Sequence, residues 1–281
     1  MTTVTAYRWG RHLFVLIWLI GLGLLAAMAA GVIPGHLGGV LAIMLGLSVT
    51  IAIGVLSQRC GFLARPVVRV DGACGRVALT FDDGPDPEFT PKILDLLAQL
   101  DQKATFFVIG SKVAKHGDIV RRIVDEGHEV GNHTMEHRWH LALWSVSRIT
   151  DELDQVSDLV QQVTQARPRL FRPPAGALSP RIEAGAAAAG LRLVGFSTRS
   201  GDGSAAVSAE LARKRLVAGL RPGAILLLHD AAPSGRAPTS LVVLPPLCAA
   251  MTRAGLRSVT LSEMIAPVDD HGDPRTVGTT W

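Results

Sequence analysis

From Leu13 to Gln58 the chain carries no lysine, arginine, aspartate or glutamate, and His36 is the one titratable side chain in that stretch. A helix on the surface of a globular domain normally has a charged outer face, and this run has none to offer. Pro34 and Gly35 divide it into Leu13–Ile33 and Leu37–Leu56. Each half is close to the ~20 residues that a helix needs to cross a bilayer. Backbone groups in lipid must satisfy one another, so the expected arrangement is two transmembrane helices joined by a tight turn. The competing reading is a cleaved signal peptide with Ala27-Met28-Ala29 as its cleavage site. Its apolar core would be shorter, and no second apolar run would follow it. Arg8 and Arg11 precede the pair, Arg59, Arg65 and Arg69 follow it, and the turn has no basic residue. The positive-inside rule then places both ends, and the domain that follows, at the cytoplasmic face of the cell membrane.

The 281 residues leave room for one sizeable domain beyond this hairpin. Hydrophobic residues make up 48% of the chain, with a mean hydropathy of +0.31, and the excess is concentrated at the amino-terminal end. The three cysteines are an odd number, with Cys60 beside the hairpin and Cys248 in an apolar stretch, which is no disulfide framework. A net charge of +4 raises nucleic acid as a partner. The arginines are dispersed without interleaved aromatics, so membrane lipid is the expected partner and nucleic acid is not.

Residues 1–57 therefore read as a hairpin with spans at about 13–33 and 37–56, residues 58–75 as a linker and 76–265 as a folded domain. Residues 266–281, rich in Asp, Gly, Thr and Pro, read as a disordered tail. Within the domain, short apolar runs at Val77–Phe81, Ala104–Ile109, Glu129–Asn132, Arg169–Arg172, Leu191–Ser197, Ala224–His229 and Arg257–Thr260 read as strands. Helical patterns lie between them. Thr90-Pro91 looks like a helix start, residues 145–165 keep one apolar face, and Gly127, Gly190 and Gly255 fit helix ends. Seven strands alternating with helices predict an α/β fold with a parallel sheet, open or closed into a barrel.

In such folds functional groups collect at the carboxyl ends of strands. Five predicted strands end in ionisable residues: Asp82-Asp83-Gly84-Pro85, His133 with His137, Arg172 before Pro173-Pro174, Asp202 after Leu191–Ser197, and His229-Asp230. Adjacent carboxylates repel unless a cation lies nearby. His133 and His137, four apart at the expected start of a helix, can face one ion together with Asp83. Two imidazoles and a carboxylate, with positions left open, suit a catalytic Zn²⁺, with other divalent ions also accepted. Singly, each feature has an ordinary explanation as a turn, a coincidental pair, a core histidine or an edge charge. Together at one end of one sheet they do not. The other histidines (His12, His36, His116, His128, His140 and His271) and the cysteines receive structural roles.

These residues resemble the polysaccharide deacetylase family, carbohydrate esterase family 4 or the NodB homology domain, over about residues 76–265. The resemblance is carried by Thr80-Phe81-Asp82-Asp83-Gly84-Pro85, His133-Thr134-Met135-Glu136-His137, Arg172-Pro173-Pro174-Ala175-Gly176 and Leu227-Leu228-His229. It implies a distorted (β/α) barrel of about seven parallel strands and a hydrolase that removes an acetyl or formyl group from the nitrogen of an amino sugar. It also implies one divalent ion, Zn²⁺ first and Co²⁺, Ni²⁺ or Mn²⁺ as alternatives, held by Asp83, His133 and His137. Asp82 would be the general base, His229 the general acid, and Arg172 the partner that keeps Asp82 ionised. Leu227, Pro174 and Ala175 would bind substrate, Leu227 lining the acyl pocket and Ala175 offering a backbone N–H to the oxyanion. Two positions depart from the family pattern. Ala175 stands where an aromatic is usual, and the usual Asp-Trp of the fourth motif is Asp202-Gly203, with Asp202 expected to orient His229 and Phe196 or Trp144 as stand-ins for the indole. With the domain on the cytoplasmic side, the expected substrate is a lipid-linked amino-sugar glycan; a non-catalytic sugar-binding module, an O-acetyl esterase or a small-amide hydrolase are the alternatives.

Overall fold

The protein is described by a computed structural model covering residues 5–56, 63–203, 207–231 and 237–265. The expected tail at 266–281, His271 and part of the linker fall outside the described residues.

The amino-terminal runs form α1 (Thr5–Ala29) and α2 (Leu37–Leu56), which pack on each other. Trp18 Nε1 donates to Thr50 Oγ1 at 3.1 Å, and Gly21 lets Leu47 approach closely enough that an added Cβ would lie 2.9 Å from its side chain. The hairpin expected from the sequence therefore forms as a helical pair. Two membrane crossings are a separate matter: among the described residues no helix is long and apolar enough to cross a membrane. The expected spans stretch to Ile33 and begin at Leu13, whereas α1 ends at Ala29, because the chain leaves the helix at Gly31 with φ 72.

The domain then runs β1 (Arg76–Gly84), α3 (Phe89–Gln99), β2 (Ala104–Val108), α4 (Gly110–Val113), α5 (Gly117–Asp125), β3 (Glu129–Asn132), α6 (Val146–Thr164), β4 (Leu170–Phe171), α7 (Pro180–Ala188), β5 (Arg192–Leu193), β6 (Thr198–Arg199), α8 (Ala209–Ala218), β7 (Ile225–His229), α9 (Ser240–Arg253), β8 (Arg257–Ser258) and α10 (Leu261–Ile265). The strands lie in the order β5-β4-β3-β2-β1-β7-β6, with β8 added beside the start of β1, and every pairing between them is parallel. The result is a curled, incompletely closed (β/α) barrel.

Alternation along the strands divides inside from outside. Val77, Leu79 and Phe81 of β1 join Ala104, Phe106 and Val108 of β2 and Leu226 and Leu228 of β7 in the outer core beneath the helices. The opposite face of the same strands carries Ala78, Phe107 and Ile225 into the barrel, and therefore also Thr80, Asp82, Leu227 and His229.

Two sequence expectations need correction. Leu191–Ser197 is not one strand: β5 and β6 sit at opposite edges of the sheet, separated by residues 194–197. The gap is bridged by the segment before β1, through Val67 parallel to Val194 and Arg69 antiparallel to Ala224, so part of the supposed linker belongs to the barrel. Thr90-Pro91 is not the start of α3 either. The helix begins at Phe89, and Asp86 Oδ1 accepts from the N–H groups of Glu88 and Phe89, both at 2.9 Å. By contrast Gly127, Gly190 and Gly255 all take positive φ where helices end.

Candidate active site

The carboxyl ends of the strands form the mouth of the barrel. Asp82 faces inward from β1 by alternation, and a regular strand would turn Asp83 away. Instead Asp83 has φ 76 and the register with β2 shifts between Asp82 and Gly84, a bulge that brings the second carboxylate to the same mouth. The turn is clamped on three sides. Lys112 Nζ donates to the Asp83 carbonyl at 2.6 Å, Ile109 N to the Gly84 carbonyl at 2.9 Å, and Asp230 N to the Asp82 carbonyl at 3.3 Å.

His133 and His137 meet Asp83 in a way the sequence did not foretell. Neither sits in a helix; both lie in the loop after β3, where Thr134 has φ 68 and His137 φ 52. Thr134 Oγ1 accepts from His137 N at 3.1 Å, and Asn132 Oδ1 accepts from Thr134 N at 2.9 Å. Of the six non-glycine residues with positive φ among those described, Asp83, Thr134, His137 and Ala175 belong to this mouth. Backbone held in sparsely populated conformations concentrates at sites where side chains must be aimed.

Asp83 Oδ1 lies 3.4 Å from His133 Nε2 and 3.2 Å from His137 Nε2, and one ligand atom from each of the three residues lies within 4.8 Å of the others. That carboxylate oxygen is buried and accepts no hydrogen bond. The His133 Nδ1 is 2.7 Å from the Arg172 carbonyl, which can only accept, so Nδ1 carries the proton and a neutral ring presents the Nε2 lone pair to the centre. An orphaned carboxylate oxygen and an imidazole fixed in the ligating tautomer fit a divalent cation. Burial works to raise the Asp83 carboxyl, but His133, His137 and His229 hold it far below the usual carboxylate range. Burial opposes charge on His133, yet Asp82 and Asp83 keep its pKa raised, whereas burial and the charge of His133 lower that of His137.

Arg172 is 1% exposed and lies inside the barrel. Its Nη1 donates to Asp82 Oδ1 at 2.7 Å and to Thr80 Oγ1 at 2.8 Å, its Nη2 donates to the Gly195 carbonyl at 2.8 Å, and its guanidinium lies 4.2 Å over the Phe107 ring. The other Asp82 oxygen is 4.0 Å from His133 Nε2, which places this carboxylate at the edge of the three-ligand cluster. On the far side, His229 Nδ1 is 2.6 Å from Asp202 Oδ1, and His229 N donates to Asp202 Oδ2 at 3.2 Å. Ser200 Oγ lies within hydrogen-bond distance of both Asp202 and the Leu227 carbonyl, with one proton to give between them, so the carboxylate is itself oriented. Burial disfavours the imidazolium, but Asp202, and behind it Asp82 and Asp83, push the His229 pKa up to about 9. Gly203 explains the missing indole in part: a Cβ there would lie 3.0 Å from His229 Cε1, so backbone occupies the space beside the imidazole. Trp144 does not stand in for it, being buried with Leu141 and Ile149 beneath Arg148.

The expected substrate-binding residues are placed as follows. Leu227 is buried on the inward face two positions before His229. Pro174 is buried and Ala175 exposed in a tight turn directly after Arg172; Ala175 has φ 54, and its N–H donates to no described acceptor.

Sequence reasoning assigned no part in the site to the layer behind these groups, namely Thr80, Thr90, Lys112, Ser200 and Asp230. Asp230 is fully buried and accepts from Thr90 Oγ1 at 2.6 Å, while its Oδ1 has no partner. It lies against Gly84: an added Cβ there would come within 2.0 Å of Asp230 Oδ2, with only buried carboxyl to give way. Gly84→Ala is therefore expected to lower stability by about 3 kcal/mol, as overpacking of a filled core does, and to spread the aspartate turn. Thermal melts and metal-binding isotherms on the variant check both effects.

Burial pushes the Asp230 carboxyl up to about 7. Because that exceeds the unfolded value, the folded state holds the extra proton, and stability falls as pH rises from about 4 to about 7. Asp230→Asn removes the titration. Its melting temperature should match the parent at pH 4 and exceed it at pH 8.

A polysaccharide deacetylase sequence profile matches residues 69–194. Among curated relatives, a chitooligosaccharide deacetylase from Bradyrhizobium is 43% identical over 160 residues, 57% of this chain and 72% of that one. A peptidoglycan-N-acetylglucosamine deacetylase from Bacillus cereus is 36% identical over 188 residues, 67% of each chain. Among solved structures, a family 4 acetyl xylan esterase from Clostridium thermocellum, in complex with a cobalt ion, superposes with a TM-score of 0.61 at 33% identity, over 67% of this chain and 89% of that one. The fold, the mouth geometry and these relatives agree: the chain belongs to the polysaccharide deacetylase family and is a hydrolase of carbon–nitrogen bonds.

Proposed function

We propose that the protein removes an N-acyl group, acetyl or formyl, from an amino sugar of a membrane-associated glycan. The observation that carries this reading is the convergence of Asp83, His133 and His137 between two buried pairs, Asp82 with Arg172 and His229 with Asp202.

Asp83, His133 and His137 would hold one divalent ion, Zn²⁺ first and Co²⁺, Ni²⁺ or Mn²⁺ as alternatives. When bound, it supplies Lewis acidity that polarises the acyl carbonyl and eases deprotonation of water. Asp82 then accepts the proton of the attacking water. Arg172 pairs with that carboxylate and fixes one oxygen, leaving the other directed toward the cluster. His229, charged and held at Nδ1 by Asp202, has Nε2 free to protonate the departing nitrogen, without which an amide does not break. The Ala175 N–H can donate to the developing oxyanion, and Leu227 offers an apolar wall to the acyl methyl.

Release of acetate or formate from a panel of N-acyl amino-sugar glycans tests the reading. Chelation should abolish release and added Zn²⁺ restore it, with one ion per chain by mass spectrometry. Glycan binding with no release from any substrate, metal loaded, would favour a non-catalytic sugar-binding module. The likeness to an acetyl xylan esterase favours O-acetyl esters as the second reading, and an ester panel in the same assay separates the two.

The membrane half rests on the hairpin. Leu16, Leu19, Ile20, Leu22, Leu41, Met44 and Leu45 are all at least half exposed, far more apolar surface than a soluble monomer leaves open. This reading takes lipid as the solvent that covers it, and by the positive-inside rule the flanking arginines favour the cytoplasmic side, where the substrate would be a lipid-linked amino-sugar intermediate. Alkaline phosphatase fused after Trp281 should be inactive and a cytosolic reporter active; the reverse would move the domain outside.

A further inference from the structure

We propose that the rim of the mouth from Arg138 to Arg148 is a lipid-facing surface, which seats the active end of the barrel on anionic headgroups and so presents it to a lipid-linked substrate. The inference rests on the membrane-associated hydrolysis proposed above.

Among the described residues outside the hairpin, the exposed large apolar ones are Trp139, Leu143, Val146, Leu211 and Val242, and three of these five fall within eight consecutive residues. Trp139 is 69% and Leu143 72% exposed, on a short 3-10 turn that starts two residues after His137. Burial inside the domain does not account for them. Arg138, Arg148 and Arg181 are exposed around them, and none pairs with a carboxylate among the described residues. The Arg148 guanidinium lies 3.8 Å over Trp144, and Arg181 Nη1 donates to the Leu143 carbonyl at 3.0 Å. Glu136 and Asp151 are the exposed acids nearest in the chain. Topology fixes where this surface points. The 3-10 turn and the first turns of α6 and α7 all follow carboxyl ends of parallel strands, so they share the mouth end of the barrel.

The route from the hairpin ends at the same place. Ala64 is buried in one cluster with Leu141 and Trp144, and Arg65 N donates to Glu183 Oε1 at 3.3 Å on the first turn of α7. Only residues 57–63 separate Ala64 from the end of α2 at Leu56, a reach of at most about 28 Å. A chain tethered so closely holds this rim, rather than the base of the barrel, near the surface that receives the hairpin. Tryptophan with aliphatic neighbours and unpaired arginines suits the headgroup layer. A pyranose platform would need the tryptophan but has no use for exposed Leu143 and Val146.

The full chain in vesicles of phosphatidylglycerol and phosphatidylethanolamine provides the test. Two substrates are compared, soluble N-acetylchitotetraose and a polyprenyl-diphosphate-linked N-acetylglucosamine. Trp139→Ser with Leu143→Ser should lower the rate on the lipid-linked substrate at least ~10-fold and leave the soluble one unchanged. Exchange of anionic for zwitterionic lipid should cost the parent about fivefold per arginine, an effect absent from Arg138→Gln with Arg148→Gln. Equal loss on both substrates would mean a sugar platform and overturn the proposal, as would no loss on either. Quenching of Trp139 fluorescence by brominated phosphatidylglycerol, taken as parent minus Trp139→Phe, needs no turnover. Absence of that quenching overturns the lipid-facing rim even if the hydrolytic reading stands, and its presence upholds the rim even if no substrate is cleaved.

Discussion

Asp82→Asn is expected to lower kcat by about 10³-fold while one metal ion per chain remains bound. The asparagine keeps an oxygen that can accept from Arg172 Nη1, now 2.7 Å from Asp82 Oδ1, but it cannot take a proton from water. It also strips the buried Arg172 of its counter-charge. Removing one partner of a buried pair costs about 3 kcal/mol or more, so the variant should melt earlier and still fold at assay temperature. Thr80 Oγ1, the Gly195 carbonyl and the Phe107 ring remain around the guanidinium to limit that loss. Asp83→Asn provides the contrast. Its buried Oδ1 faces both imidazoles, so this variant should lose the ion as well as the activity. Equilibrium metal content and single-turnover acyl release, measured on both, separate the roles. Loss of metal from Asp82→Asn with retention by Asp83→Asn would show that the two aspartates have exchanged places.

That contrast depends on a backbone feature no periodicity reveals. Ala104–Ile109 was readable as a strand because the run is short and apolar, and the structure buries both its faces as β2. The carboxyl ends of β1, β3, β4 and β7 then brought Asp82, His133, Arg172 and His229 to one rim by topology alone. The convergence of Asp83 with His133 and His137 needed more, namely left-handed conformations at Asp83, Thr134 and His137 that spacing in the chain does not encode. The four-residue interval between the histidines suggested a helix and belongs to a loop. Leu191–Ser197 read as one strand for a related reason: apolar continuity cannot show that a chain crosses from one sheet edge to the other at Gly195. The supporting layer was hidden because its partners are distant in sequence, as with Thr90 and Asp230, 140 residues apart. Asp230 left one signal, a second acid directly after His229.

The second large effect is expected from Asp202→Asn, and its sign follows from the His229 environment. Burial alone would drive that imidazole below its ordinary pKa of ~6.5. The Asp202 carboxylate reverses this and holds it near 9, so the proton meant for the leaving nitrogen is in place across the neutral range. The same raised pKa makes the charged pair stabilising below the unfolded value and lets that stability drain as pH rises through about 9. With asparagine, burial wins. The alkaline limb of kcat/KM should move to lower pH, and kcat at pH 7.5 should fall by about 10²- to 10³-fold. A bound divalent cation adds positive charge beside His229 and lowers both limbs, leaving the direction of the difference intact. Amide and ester substrates should respond differently. An amine cannot leave without its proton, whereas an alkoxide leaves with less help, so the variant should lose far more on an N-acetyl than on an O-acetyl sugar. Equal losses would mean that Asp202 only holds the fold around β7, and a pH profile unchanged in position would remove His229 from the proton-donor role.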